Sequence, residues 1–189
     1  TNPANGQITV EGLPTGTYSV VESAAPQGYV LDPTARTFEI KDGAADPTIT
    51  SAFINIPFAT VTLTKDWVNS FDGDTAQLFI KGAAQNSATS TATTDGPVVS
   101  VSVAPGSKLD LSEVLGAQNR GLYGSVLTCV GATTTDKTDL SGSVTVPQYP
   151  ASAAGVQCTF TNTAKTREVK LQKQWGDAFQ GGSAPLALT

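Results

Sequence analysis

The sequence contains no histidine and no methionine among its 189 residues, and only two cysteines. Without histidine, the Ser-His-Asp and Cys-His arrangements of hydrolytic enzymes cannot be built. Two cysteines without histidine also do not complete the tetrahedral shell of a structural zinc ion. No acidic pair stands out as that of a glycosidase. The residues therefore indicate neither a turnover enzyme of these classes nor a bound metal or cofactor.

Charged residues are also scarce, at 14% of the chain, against about 25% in an average soluble domain. The 11 basic and 16 acidic residues leave a net charge of -5, which offers no basic surface for nucleic acid. Nothing in the sequence resembles a transmembrane span, a secretory signal or a sorting signal. Both ends look cut from a longer chain, so this absence says little about location.

What the sequence does contain is a series of short runs rich in Val, Thr, Ile and Phe, separated by Gly, Pro, Asn and Asp. Runs such as "TYSVVE", "ATVTLTKDW" and "KLDLSEVL" are typical of an antiparallel β-sandwich. Helical periodicity is almost absent, and one helical turn is predicted around residues 112–117. The polar stretch "AAQNSATSTATTDGP" predicts a long hairpin or an exposed loop. The predicted fold class is all-β and immunoglobulin-like.

The two cysteines, Cys129 and Cys158, lie on the alternating runs "SVLTCVG" and "GVQCTFTN". A disulfide between them is the favoured interpretation, and it would imply an oxidising, extracellular compartment. Closing the loop between them could contribute roughly 3.6 kcal/mol in the chain-entropy description of disulfides. Two buried free thiols are the alternative.

The sequence repeats itself in three places, each time around one polar side chain. The matching segments are 59–80 with 167–188, 50–58 with 157–165, and 17–29 with 108–123. The polar side chains that these matches align are Lys65 with Lys173, Asn55 with Asn162, and Glu22 with Glu113. Along the chain the order is therefore Glu-Asn, then Lys-Glu-Asn, then Lys. One complete unit lies between two partial ones.

The repeats also predict the domain boundaries. Residues 1–57 are predicted to be the C-terminal part of one β-sandwich, residues 58–164 a complete one, and residues 165–189 the N-terminal strands of the next. The junctions "NIPFATV" and "NTAKTREV" are too short for the units to tumble freely. The chain is therefore predicted to be a section of a rod of tandem β-sandwiches.

The segment "GLPTGTYSVVESAAPQGY" resembles the E-box, approximately Y-x-L-x-E-T-x-A-P-x-G-Y, of the collagen-adhesin B-type, or SpaA-like, domains of Gram-positive surface proteins and pilins. "TVTLTKDW" is similar to their first strand with its lysine, and "CTFTNT" and "FINIP" to their last strand with its asparagine. The cysteine pair resembles the variety found in actinobacterial surface proteins. The resemblance implies tandem prealbumin-like, reverse-immunoglobulin sandwiches. In the complete unit, "SEVLGAQNRGLY" departs from it by lacking the Ala-Pro of the E-box.

The resemblance also implies an intramolecular isopeptide bond. In such domains a first-strand lysine attacks a last-strand asparagine, ammonia leaves, and a buried acid transfers protons. In residues 58–164 these would be Lys65, Asn162 and Glu113, and Glu22 would be the corresponding acid of the first unit. Burial lowers the pKa of an amine and keeps a carboxyl group protonated, and holding the groups together is worth about 7–11 kcal/mol. This single-turnover reaction would be the chain's only catalysis.

Strand parity agrees with these roles, because Lys65, Glu113 and Asn162 each continue an apolar strand face. Glu22 likewise shares a face with Tyr18 and is predicted to be buried. The alternative is that Lys65 is a surface residue, Asn162 a turn residue and Glu113 a helix-capping acid. Parity alone does not decide between the two; the repeated order of the triplet favours the bond.

The partial units lack partners for this reaction. Glu22 and Asn55 have no lysine before them, and Lys173 has no acid or asparagine after it. The tail of one molecule could complement the head of the next, with Lys173 bonding to Asn55 in trans. The alternative is that head and tail belong to different repeats of a longer protein.

The predicted function is a stalk or spacer in an extracellular, cell-wall-anchored adhesin or fibre. Repetition gives length rather than specificity, and a covalent brace makes opening rarer. The predicted partners are neighbouring repeats. The alternatives are a module that recognises a host protein or glycan through loops such as 84–97 or 131–142, and a pilin subunit polymerised by sortase.

Two pairs of aspartates could hold Ca²⁺, namely Asp72 with Asp74 and Asp42 with Asp46. The alternative for both pairs is an ordinary turn containing glycine. The sequence favours the turn, and no metal site is predicted.

Overall fold

The structure, a computed structural model, describes residues 8–92, 99–173 and 185–187. Apart from one 3₁₀ turn at Ala151–Ala154, its regular elements are strands. In chain order they are β1 (Gly16–Val20), β2 (Tyr29–Val30), β3 (Arg36–Ile40), β4 (Ile56–Pro57), β5 (Ala59–Val68), β6 (Thr75–Gly82), β7 (Asn86–Thr91), β8 (Val99–Val103), β9 (Lys108–Leu115), β10 (Tyr123–Val130), β11 (Thr134–Thr135), β12 (Ser141–Thr145) and β13 (Val156–Ala164). The predicted all-β class is confirmed. No helix in the described ranges is long and apolar enough to cross a membrane.

Two large sheets form the β-sandwich that the sequence predicts. One has the strand order β10-β13-β5-β8, and the other has the order β11-β12-β9-β6-β7. Inward and outward residues alternate along most of β5, because successive side chains of a strand point to opposite faces. Both sheets contribute fully buried side chains to the core, among them Leu63, Leu78, Leu109, Leu127 and Phe160. Burying each such side chain stabilises the fold by about 1.5–3 kcal/mol.

The first and last strands of the sandwich lie side by side. β5 pairs in parallel with β13, which places Phe160 opposite Lys65. On its other edge β13 pairs antiparallel with β10, where Cys129 lies opposite Cys158 and the two form a disulfide. The predicted disulfide is therefore confirmed. β5 begins and β13 ends close to the predicted limits of the complete unit, 58–164, and those limits stay a prediction.

The strands of residues 8–57 form two smaller sheets, β1 with β3 and β2 with β4. Tyr18 on β1 stacks on Phe38 of β3, with ring centroids 5.6 Å apart. The predicted burial of the face that carries Tyr18, Val20 and Glu22 is wrong. Val20 is 39% exposed, and Tyr18 and Glu22 are half-buried. The reason is that, within the described residues of this region, no facing sheet covers them as β9 and β6 cover β5.

Two further expectations meet different outcomes. The helical turn predicted around residues 112–117 is wrong, because residues up to Leu115 belong to β9, which pairs with β6 and β12. The polar stretch after β6 forms the second strand of a hairpin, β7, as one of the two predicted alternatives has it. Residues 93–98 of that stretch lie outside the described residues.

Candidate cross-linking site

Three side chains from three strands converge at one end of the sandwich. Lys65 on β5 and Asn162 on β13 belong to one sheet, and Glu113 on β9 reaches them from the facing sheet. The Lys65 Nζ atom lies 3.6 Å from Glu113 Oε2. The Asn162 side chain donates a hydrogen bond from Nδ2 to the same oxygen at 3.3 Å. A single carboxylate oxygen therefore contacts both residues that the sequence proposes as reaction partners.

Burial sets the electrostatics of this cluster. The side chains of Lys65 and Glu113 are 0% exposed, and Asn162 is also 0% exposed. Burial lowers the pKa of Lys65 from 10.5 to about 8, although the neighbouring Glu113 and Asp66 act in the opposite direction. With a pKa of about 8, roughly one amine in ten is neutral at pH 7, against roughly one in three thousand for an ordinary lysine. The neutral, nucleophilic form of Lys65 is therefore populated.

The Lys65 amine is also held in place by its surroundings. Nζ donates hydrogen bonds to the backbone carbonyls of Asp66 and Phe160, both at 3.1 Å. The same atom lies 4.4 Å from the centre of the Trp67 ring, which covers it. The indole donates from Nε1 to Ser90 Oγ at 3.0 Å, so the covering ring is itself fixed. These contacts hold the amine beside the carboxylate of Glu113.

The amide of Asn162 has one unsatisfied group. Its Oδ1 atom is buried and has no hydrogen-bond partner. A buried acceptor without a donor costs about 1–3 kcal/mol. A half turn of the amide would bring Oδ1 to the carboxyl group of Glu113, which in its protonated form could donate to it. Asn162 therefore carries an acceptor that a protonated acid could satisfy and polarise.

Ser125 is a member of the site that the sequence reasoning missed. It lies on β10 directly opposite Asn162 and donates a hydrogen bond from Oγ to Glu113 Oε1. One oxygen of Glu113 is thus held by Ser125, and the other faces Lys65 and Asn162. The alternation of β10 could have revealed it, because Ser125 shares the inner face with Tyr123 and Leu127.

Asp74, one of the possible calcium ligands, has a different role. Its carboxylate is buried and accepts hydrogen bonds from the backbone N–H groups of Arg120 and Gly121, at 2.8 and 2.9 Å, and from the Tyr123 hydroxyl at 2.6 Å. Burial alone would raise the pKa of Asp74, but these hydrogen bonds outweigh it and hold the pKa below its usual value. Asp74 therefore ties the start of β6 to the segment before β10. In the part of the chain that the structure describes, no group of three or more acidic or cysteine side chains could hold a metal ion.

A second glutamate–asparagine pair lies in residues 8–57, the head of the chain. Asn55 donates from Nδ2 to Glu22 Oε1 at 2.8 Å, and the backbone N–H of Asp32 donates to Glu22 Oε2 at 2.9 Å. The Oδ1 atom of Asn55 is buried and has no hydrogen-bond partner, as in Asn162. Lys173, which matches Lys65 in the sequence repeat, has an exposed side chain. The pair thus repeats the arrangement of the complete unit apart from the lysine.

Comparison with known proteins supports the resemblance. Residues 1–52 match the family model described as SpaA, prealbumin-like fold domain. Comparison with curated proteins finds no match.

Similar solved structures include two crystal forms of a bacterial adhesin from Mobiluncus mulieris containing intramolecular disulfide, isopeptide and ester bond cross-links. The identities are 17% and 18%, and the TM-scores are 0.48 and 0.46. The match covers 75% and 74% of this chain, and 56% and 55% of the adhesin chains. The pilus adhesin SpaC from Lactobacillus rhamnosus GG, in an open conformation, is 15% identical with a TM-score of 0.40, covering 84% of this chain and 26% of that one. This chain thus spans less than two thirds of the length of each of these proteins.

The family match contains Glu22 and the Ala-Pro that follows it, the same residues that carry the resemblance in the sequence. Residues 1–52 are therefore similar to the SpaA prealbumin-like fold family, which is the resemblance that the sequence predicts.

Proposed function

We propose that the chain is a section of the stalk of an extracellular, cell-wall-anchored adhesin or fibre. In this proposal residues 58–164 are one unit of the stalk, braced by an isopeptide bond between Lys65 and Asn162 and by the disulfide. The observation that carries the proposal is the contact of one buried oxygen, Glu113 Oε2, with both Lys65 Nζ and Asn162 Nδ2. Residues 1–57 and 165–189 are parts of the neighbouring units.

The reaction begins with the formation of the neutral amine of Lys65. A proton moves from the Lys65 ammonium to the Glu113 carboxylate, which leaves a nucleophile beside a carboxylic acid. The amine attacks Cγ of Asn162 while the acid donates a hydrogen bond to the amide oxygen, where negative charge develops.

Collapse of the tetrahedral intermediate completes the exchange. The Nζ–Cγ bond remains, the Cγ–Nδ2 bond breaks, and Glu113 carries the second amine proton to the departing nitrogen, which leaves as ammonia. The dry surroundings keep water from competing for Cγ. Since the product contains the nucleophile and the electrophile, the reaction runs once per chain, and the protein is not a turnover enzyme.

The test is the intact mass of the chain before and after reduction, followed by peptide mapping. The expected result is a mass lower by one ammonia than the sequence gives, with one cross-linked peptide that joins Lys65 to Asn162. Glu113→Gln, which keeps the size of the side chain but removes its acid, should retain the full mass. Asp110→Asn, on the outer face of the same strand, is the control and should still lose ammonia. A fully reduced wild-type chain at its full sequence mass would refute the proposal.

A further inference from the structure

The ring of Trp67 covers the buried amine of Lys65. Its centre lies 4.4 Å from Lys65 Nζ, and Trp67 is half-buried while the lysine side chain beneath it is 0% exposed. The dryness of the amine therefore depends on where this ring is held. A displaced ring would let water solvate the ammonium form, whereas the proposed reaction needs the neutral amine.

Two contacts fix the ring, and they come from different sheets. The indole donates from Nε1 to Ser90 of β7 at 3.0 Å, and the ring packs edge to face with Tyr123 of β10, with centroids 5.1 Å apart at an angle of 73°. Aromatic pairs favour this arrangement, because the positive edge of one ring meets the negative face of the other. Both partners of Trp67 are buried.

Tyr123 is in turn fixed by the buried carboxylate of Asp74. Its hydroxyl donates to Asp74 Oδ2 at 2.6 Å and accepts from the Phe71 N–H at 3.2 Å. Burial and the hydrogen bond to Asp74 raise the pKa of Tyr123. Burial also acts to raise the pKa of Asp74, but the hydrogen bonds that Asp74 accepts outweigh it and hold that pKa below its usual value. At neutral pH the tyrosine is therefore a donor and the aspartate an ionised acceptor.

The backbone before β10 fits closely around the tyrosine ring. A Cβ atom at Gly121 would lie 2.7 Å from both Cζ and the hydroxyl oxygen of Tyr123, and 2.8 Å from a ring carbon of Phe71. Side chains do not approach a Cβ atom this closely, so glycine is what lets the ring lie against the chain here. The hydroxyl end of Tyr123 is thus enclosed as well as hydrogen-bonded.

We propose that Asp74 and Tyr123 are positioning residues of the cross-linking site. They act through Trp67, which they hold over the amine of Lys65. This inference rests on the proposed function, because that amine is the nucleophile of the proposed reaction. β10 then carries two supports of the site, since Ser125, on the same face of the strand, holds the acid.

The ring of Trp67 has two opposing effects on the amine. Its face attracts an ammonium group, and its bulk excludes the water that would solvate one. The second effect is the larger, because burial is the main cause that lowers the pKa of Lys65 to about 8. Glu113 and Asp66, the charged groups that act on the amine, favour the ammonium form. Loss of the cover should therefore raise the pKa of Lys65 towards its ordinary value of 10.5.

The first test measures the titration of Lys65 in the absence of the cross-linking reaction. Asn162→Ala removes the electrophile, and NMR of labelled lysine side chains follows the titration, with the signal assigned by its loss in Lys65→Met. In this background Tyr123→Phe, which keeps the ring but loses the hydroxyl, should raise the midpoint, and Trp67→Leu should raise it further. A rise of one pH unit would lower the neutral fraction at pH 7 about tenfold.

Asp74→Ala separates position from charge, because the two effects have opposite signs. Removing a negative charge would by itself lower the pKa of Lys65, since a carboxylate favours the ammonium form. If Asp74 acts by holding the ring, the midpoint rises instead. The double variant Tyr123→Phe with Trp67→Leu should have the midpoint of Trp67→Leu alone, because both residues act through one ring.

Asn119→Ala is the matched control. Asn119 lies in the segment before β10, which also supplies the backbone partners of Asp74, and it makes two hydrogen bonds to the backbone of Thr75, both at 2.8 Å. Its loss should weaken the fold without moving the midpoint of Lys65. A shift as large as that of Tyr123→Phe would indicate a general loosening of the sandwich and would overturn the inference.

The chain that retains Asn162 gives a second readout, the rate of ammonia loss after refolding. Tyr123→Phe should be slower than wild type at pH 7 and should reach the wild-type rate at a pH above its raised midpoint, because high pH restores the neutral amine. A variant that stays slow at every pH would show damage to the site rather than loss of the cover, which contradicts the positioning role.

The outcomes keep this inference apart from the proposed function. Unchanged midpoints in Tyr123→Phe and Asp74→Ala would refute the positioning roles even if the Lys65–Asn162 bond forms. An unchanged midpoint in Trp67→Leu would refute them as well, because the ring would then not shield the amine. If wild type never loses ammonia, the proposed function fails, and the titration still decides whether the pair holds the ring.

Discussion

The glutamate–asparagine pair occurs twice in this chain, in two different surroundings. In the complete unit Glu113 and Asn162 are buried between two sheets, and Lys65 lies beside them. In the head, Glu22 and Asn55 make the same contact while half-buried. The hydrogen bond therefore forms without the second sheet. What the second sheet and the first strand add is the dry environment and the amine.

The two pairs also differ in how the second carboxylate oxygen is held. Glu113 accepts a hydrogen bond at this oxygen from the hydroxyl of Ser125, which lies on β10 in the facing sheet. Glu22 accepts a hydrogen bond at this oxygen from the backbone N–H of Asp32, ten residues later in the chain. One pair is positioned by tertiary packing and the other by its local segment, so substitutions should affect them differently.

The largest effect is expected from removing the amine in the complete unit. Lys65→Met leaves Glu113 buried without its counter-charge, which typically costs about 3–5 kcal/mol. The reference is Asn162→Ala, which also lacks the isopeptide bond but keeps the ion pair. Urea unfolding of both variants measures the difference.

Removing the asparagine of the pair in the head should change the stability of the sandwich much less than Lys65→Met does, and an equal loss would contradict the contrast between the two pairs. Asn55→Ala should change the free energy of unfolding of the sandwich by less than about 0.5 kcal/mol, since Asn55 lies outside that core.

A loss of stability below about 1 kcal/mol in Lys65→Met relative to Asn162→Ala would show that Glu113 is not left as an uncompensated charge.

A smaller effect is expected from Ser125→Ala. The variant removes the donor to a buried carboxylate oxygen, which costs about 1–3 kcal/mol. Because Glu113 loses its fixed orientation, bond formation should slow as well. Chains prepared unfolded are refolded, and the loss of ammonia is followed by intact mass. Ser125→Thr, which restores a hydroxyl, should recover much of the rate; equal rates in all three proteins would show that Ser125 does not position Glu113.

The smallest effect is expected from pH. Because burial lowers the pKa of Lys65 to about 8, the neutral fraction of the amine rises about tenfold from pH 6 to pH 7. It levels off above the pKa. The rate of ammonia loss during refolding should follow this curve, provided that attack by the amine limits the reaction. A rate that keeps rising tenfold per pH unit up to pH 10 would mean that burial does not lower the pKa of Lys65 before the bond forms.

The sequence predicted the sandwich and the burial of its polar triplet because both follow from a period of two. Lys65 and Glu113 continue rows of apolar residues, and a residue in such a row faces the core wherever a second sheet covers it. The same reasoning failed at Val20, because alternation shows which residues share a face but not whether that face is covered. It also failed at residues 112–117, where pairing with two neighbouring strands outweighs local helical preference.

Ser125 and Asp74 escaped prediction for a related reason. Alternation along β10 places Ser125 on the inner face, but it does not show that Glu113 lies opposite it in the facing sheet. Asp74 reads as a turn residue, and its partners Arg120, Gly121 and Tyr123 are distant in sequence. Contacts of this kind depend on the tertiary fold, and local sequence patterns do not indicate them.

The parallel pairing of β5 with β13 has a consequence for the extensibility of the chain. An unfolded chain extends by up to about 3.3–3.6 Å per residue. Unfolding between Lys65 and Asn162 would therefore lengthen the unit by up to roughly 230 Å, since the disulfide keeps the segment between Cys129 and Cys158 from extending. A bond between these two side chains would prevent this extension, since tension would pass directly from β5 to β13. Under the proposed function, each unit would then keep a fixed contour length while bearing a load, and the stalk would act as an inextensible line.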